Sequence, residues 1–378
     1  MNKYGVIALT CALLGSIAPV GAYDPKTHRD LSREAFSASA LATDSKVLDN
    51  LGLPPLNANK TYPNSEVFPK SKVIVELFRD GAEFEDDFPR SANHFFDPLT
   101  GKGLVVGSPS PDWAIDGTGD SSTIKFSFKA AREYLWQATA NPLNNYDYRQ
   151  KQFGLMFETL GHVIHHIQDM AQPQHVRNDV HCDIFPCYLI GAYNKSAYEQ
   201  YTLTAPNLPY TNTDYNASTQ VKFGTARQFW ATGDGKGMAE FSNSNFVSAG
   251  TNFKSGKYTS PAINPIYTQS PKVKDLCLEP GVICTPVMNA FQEATITFYG
   301  NDVVDAYKQT STPKNQRAAS ESVFDQFLEE ANRSKEYTLN RFNFDAAHQF
   351  LIPRAVSYSA GLINYFFRDS LQGAKHEA

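Results

Sequence analysis

Apolar positions recur at helical spacing over much of the chain. A helix is predicted through Leu31-Ser-Arg-Glu-Ala-Phe36, capped near Thr27 and carrying His28 on its first turn. The same periodicity predicts helices over 72–79, 123–140 and 148–170, the last without a proline. From 202 to 286 the pattern dissolves into Asn, Thr, Ser, Tyr, Gly and Pro, which predicts an irregular insertion with short strands. Helical character returns over 286–307, 318–340 and 344–371. Helices therefore bracket the irregular stretch, and the expected architecture is one all-α, multi-helix domain over 23–378 with a long insertion at 202–286. After Pro353 the last helix is apolar on all sides and ends at Arg368 and Asp369, the pattern of a buried core helix.

Residues 1–22 do not fit that domain. Lys3, an apolar run from Val6 to Leu14 and the exit Ala18-Pro-Val-Gly-Ala22 have the layout of a signal peptide, with cleavage expected before Tyr23 and the mature chain secreted or periplasmic. The run is shorter than the roughly 20 apolar residues a membrane span requires. Four cysteines then remain, Cys182, Cys187, Cys277 and Cys284, and two small disulfide loops are the simplest pairing for an oxidising compartment, although four cysteines allow three connectivities. Composition adds two limits. In 378 residues, 42% hydrophobic content is ample for a core, and a net charge of −5 supplies no basic field for non-specific binding to nucleic acid.

The chemistry concentrates on the 148–170 helix. His165 and Asp169 stand one turn apart on one face, so an imidazole and a carboxylate can share one metal. Pro173 turns the chain back and brings His175 within reach of both. Further ligand-type residues lie upstream, in the acidic stretch from Asp80 to Asp87 and in Ser91-Ala-Asn-His94-Phe-Phe-Asp97. Zinc takes nitrogen and carboxylate oxygen readily.

These residues resemble the zinc-dependent phospholipase C and S1/P1 nuclease superfamily of all-α secreted enzymes, whose His-x3-Asp-x5-His hallmark stands here as His165, Asp169 and His175. The resemblance extends through Asp80 and His94, through Tyr23 followed by His28, and through the Gram-negative-type segments 172–179, 239–246 and 351–367. It implies one zinc held by Asp80, His94, His165 and Asp169, and a second held by Tyr23, His28 and a bridging Asp169. A hydroxide between them would be the nucleophile, with Asp80 also taking a proton from the attacking water. A third zinc would use His175 and Glu199, but Lys195 stands where the family has a histidine. A protonated lysine donates no lone pair, so His181 is the candidate replacement, and Lys195 could instead contact the substrate phosphate. The implied activity is a phospholipase C acting on phospholipid and releasing diacylglycerol and a phosphorylated head group. A 13% aromatic content, with Phe88, Phe95, Phe96 and Trp113 near the ligand segments, suits an apolar cleft. A single-strand nuclease, with nucleic acid as substrate, and a non-catalytic zinc-binding secreted protein are the alternative readings.

Overall fold

In the computed structural model the described residues are 25–65, 70–87, 89–179, 196–204, 222–248, 267–279, 292–300, 317–321, 337–339 and 342–368. The expected signal peptide, Tyr23, Phe88, His181, Cys182, Cys187, Lys195 and Cys284 lie outside them. Cys277 is disulfide-bonded; with the other cysteines undescribed, the two-loop pairing stays a sequence expectation.

The chain opens with α1 (Pro25–Ala38), α2 (Ala40–Thr43) and α3 (Ser45–Asn50). Helix α1 begins before the expected cap, so Thr27 is a buried helical residue and not an N-cap. Pro25 suits the first turn because the amide it lacks would have no helical partner there. A two-stranded antiparallel ribbon, β1 (Thr61–Pro63) with β2 (Ser71–Val73), leads into α4 (Ile74–Phe84). That helix begins two residues later than its pattern suggested, because Lys72 belongs to the ribbon. Next come α5 (Ser110–Asp116), α6 (Phe128–Thr139) and α7 (Tyr146–Asp169). Ser127 caps α6 through the Ala130 amide, and Asn145 caps α7 through the Tyr148 amide.

Helix α7 is the axis of the molecule. From Gln152 to Asp169 every residue is buried, with α1, α4 and α6 packed around it. Two glycines permit an unusually close crossing with α4. A Cβ on Gly161 would stand 2.9 Å from the Phe78 carbonyl carbon and nearer still to its oxygen. One on Gly81 would meet the Glu158 carbonyl in the same way.

The final helix, α11 (Phe344–Phe366), packs against α1 and α7 and is buried along nearly its whole length, as expected of a core helix. Among the described residues no helix is long and apolar enough to cross a membrane.

The helical expectation holds in outline, with one small sheet in addition. The molecule is mostly helical, but β3 (Tyr267–Gln269), β4 (Phe298–Gly300), β5 (Arg317–Glu321) and β6 (Tyr337–Thr338) form a four-stranded antiparallel sheet in sequential order. Three of those strands replace parts of the helices expected over 286–307 and 318–340. In Thr295-Ile-Thr-Phe298, Ile296 and Phe298 are buried and the threonines alternate with them, which is the period of a strand. Val273, Leu276, Ile296, Phe298 and Phe342 make a second, smaller core here. The 202–286 stretch is also more ordered than its composition implied. Its described residues hold the last three residues of α8 (Ala197–Thr204), all of α9 (Met238–Asn245) and the short α10 (Val273–Leu276).

Candidate metal centre

The C-terminal third of α7 carries two faces of ligand-type side chains. His165 and Asp169 form one, and His162 and His166, also one turn apart, form the other. The α4 crossing decides what each face meets. At its C-terminal end the Ala82 carbonyl accepts the His165 Nδ1 proton at 2.6 Å, which orients the ring so that Nε2 faces the cluster. Opposite Nε2 lie His94 Nδ1 at 3.3 Å, Asp169 Oδ2 at 3.3 Å and Asp86 Oδ1 at 3.5 Å. His94 Nδ1 is itself 3.2 Å from Asp169 Oδ2 and 3.5 Å from Asp86 Oδ1.

A tetrahedral zinc with bonds of 2.0–2.1 Å has ligand atoms about 3.3–3.4 Å apart along each edge. Five of the six edges between the four donors run from 3.2 to 3.5 Å. All four side chains are fully buried, and neither Asp169 oxygen makes a well-formed hydrogen bond among the described residues. A buried carboxylate aimed at imidazole nitrogens without hydrogen bonds is the donor arrangement of a cation site.

Asp169 faces both ways. Its Oδ1 lies 3.5 Å from His28 Nε2, and the His28 ring stacks on His165 at 3.7 Å. His28 donates its Nδ1 proton to Gln168 Oε1 at 2.7 Å, and Gln168 Nε2 donates to Ser32 Oγ at 3.0 Å, so Nε2 is presented to the carboxylate. His28, His165 and Asp169 form a second group able to hold a metal, sharing two members with the first.

Burial, and then the neighbouring His165, pushes the His28 and His94 pKa values well below that of ordinary imidazole. Burial also raises the Asp169 carboxyl. His165 goes the other way: burial alone would lower it, but the charges of Asp169 and Asp86 push it up to about 9. Two buried carboxylates thus draw positive charge into the cluster.

Glu85 belongs to a different centre. It lies near His94 and His166 and could join them around a metal by proximity. Its lone pairs, however, are already used. Oε1 accepts from Trp113 Nε1 at 2.8 Å and His166 Nε2 at 2.9 Å, while Oε2 accepts from His162 Nδ1 at 2.6 Å and Arg90 Nε at 2.8 Å. Burial alone would raise this carboxyl, but Arg90 and the two histidines hold it well below the usual range.

Of the residues expected to bind zinc, His28, His94, His165 and Asp169 come together; Asp80 does not join them. It is buried against α1, where Arg29 donates to it at 2.8 Å and Lys72 pairs with its other oxygen. Glu76, Asp80 and Glu83 share the α4 face that collects Arg29, whereas Asp86 lies beyond the helix end, where the chain turns toward α7. Asp80 falls in none of the described groups that could hold a metal. In the sequence Asp86 is one of several carboxylates in the Asp80–Asp87 stretch, and no spacing singles it out.

His175 and Glu199 fall in none of the described groups that could hold a metal. His175 stacks on Phe95 at 4.1 Å and donates from Nδ1 to the His94 carbonyl at 3.0 Å, bracing the His94 segment. Glu199 accepts from Gln172 Nε2 at 3.1 Å. No family model matches the chain, and no curated protein or solved structure proved similar to it.

Proposed function

We propose that the chain is a secreted, zinc-dependent phosphodiesterase, and within that class a phospholipase C that releases diacylglycerol and a phosphorylated head group. The observation that carries the reading is the pair of overlapping buried groups able to hold a metal, Asp86 with His94 and His165, and His28 with His165 and Asp169, in which Asp169 Oδ2 also lies 3.2 Å from His94 Nδ1. The superfamily resemblance supplies the substrate class, and zinc suits a mixed imidazole and carboxylate set. When bound, paired zinc ions lower the pKa of water and offset the charge that builds on a phosphoryl oxygen.

The protein's own contribution is preorganisation. Ala82 and Gln168 hold the His165 and His28 rings so that each Nε2 faces the cluster. Asp169 presents one oxygen to each histidine group. Burial keeps His28 and His94 neutral at physiological pH, the state in which imidazole ligates. The helix crossing keeps Asp86 and His165 in register.

The test is to incubate the purified mature protein with phosphatidylcholine vesicles and, separately, with single-stranded DNA, each with and without a chelator. Release of phosphocholine that the chelator abolishes is the expected result. Nucleotide release without phosphocholine would replace the phospholipase by the nuclease, and bound zinc with neither product would leave a binding protein.

A further inference from the structure

We infer that Glu85 is a positioning residue for the metal centre: it takes no metal itself, but sets the centre's geometry and affinity. The inference rests on the metal-binding part of the proposed function and is independent of the substrate.

Glu85 gathers four donors from three parts of the fold: His162 and His166 from α7, Trp113 from α5, and Arg90 from the turn that leads to His94. Each donor is itself held. His162 stacks on Phe126 at 4.0 Å, and the Arg90 guanidinium lies 4.9 Å from the Trp113 ring centre. His166 Nδ1 accepts from Ser110 Oγ at 3.1 Å, and that oxygen accepts from Trp230 Nε1 at 3.1 Å.

Three consequences follow for the metal cluster. Asp86 is the next residue in the chain, so fixing the Glu85 carboxylate fixes the turn from which Asp86 projects. His162 and His166 flank His165 on α7, so their bonds to Glu85 set the rotation of the helix that carries His165 and Asp169. Finally, His166 is drawn away from the cluster, so that of the adjacent pair only His165 presents a nitrogen to it. Groups of this kind around metal ligands typically change affinity about 10–100-fold when altered.

The experiment is a zinc titration against a chromophoric chelator, paired with the visible absorption of the cobalt-substituted protein, on the wild type and Glu85→Gln. The amide is nearly isosteric but turns an N–H toward two of the four donors. The expected result is zinc affinity lower by about 10–100-fold, with the metal-to-protein ratio unchanged and a changed cobalt spectrum at saturation. Trp113→Phe removes one donor and keeps the carboxylate, and is expected to shift both readouts in the same direction by less; it serves if Glu85→Gln does not fold. Phe298→Leu, in the separate core beneath the sheet, is expected to lower stability without moving the spectrum. Unchanged affinity and spectrum in both Glu85→Gln and Trp113→Phe would overturn the inference, as would loss of one metal equivalent in Glu85→Gln, which would make Glu85 a ligand. A wild type that binds no metal would refute the proposed function instead.

Discussion

Gly161→Ala inserts one methyl group where α7 crosses α4, and its effect can be worked from the distances. The new Cβ would stand 2.9 Å from the Phe78 carbonyl carbon and 3.0 Å from its Cα, with the carbonyl oxygen closer still. These are backbone atoms inside a helix, so no side chain can swing aside, and the helices must separate by roughly 1 Å to restore ordinary contact. Overpacking of this kind costs about 1–3 kcal/mol, and rigid backbone on both sides places this case near the upper end. Alanine recovers about 1 kcal/mol of helix propensity, leaving a net loss of about 2 kcal/mol. The melting temperature should fall by about 3 °C. The separation acts along the line joining Ala82 to His165, so zinc affinity should fall as well. Gly224→Ala is the control, because its nearest neighbour is the Gln228 side chain at 3.5 Å. Thermal unfolding followed by circular dichroism and a zinc titration measure both effects. If Gly161→Ala melts with Gly224→Ala and binds zinc equally well, the close crossing does not set the site.

Three further outcomes are expected. Asp86→Asn should lose zinc affinity, whereas Asp80→Asn should keep it and lose about 2–3 kcal/mol of stability by uncoupling Arg29 and Lys72; equal zinc affinity in the two would show that Asp86 has been misassigned. Burial pushes His348 down to about 4, below its unfolded value, so between pH 6.5 and about 4 the unfolded chain binds the extra proton and stability falls as pH falls, by about 1.4 kcal/mol per pH unit. Urea denaturation of chelator-treated protein at pH 5 and pH 6 should therefore show a shallower pH dependence in His348→Gln, and equal slopes would contradict it. His175→Ala removes the brace on the His94 carbonyl and should weaken zinc binding several-fold without abolishing it, as read by the same zinc titration; complete loss would make His175 a ligand.

The helices that carry the site were legible because their signal is local. Helix α7 shows 3.6-residue periodicity without a proline, and the spacing of His165 and Asp169 places them on one face whatever surrounds them. Asp86 was not legible for the same reason. Whether a carboxylate in an acidic run faces water or a metal depends on where α4 ends and what packs beyond it, and the 14-residue spacing from Asp80 to His94 offered a more regular but misplaced partner. Glu85 was hidden likewise, since only the folded chain brings Trp113, His162, His166 and Arg90 to one carboxylate. The sheet escaped because its strands are two to five residues long and are stabilised by partners up to dozens of positions away.

A metal centre in the buried histidine and aspartate cluster would have Asp169 at its middle. The most direct test is elemental analysis of the mature protein purified without chelator, beside Asp169→Asn prepared in the same way. Stoichiometric zinc is expected in the wild type and its loss in the variant, with both remaining folded. A folded wild type that carries no zinc and takes up none when it is supplied, or an Asp169→Asn variant that retains the full complement, would contradict it.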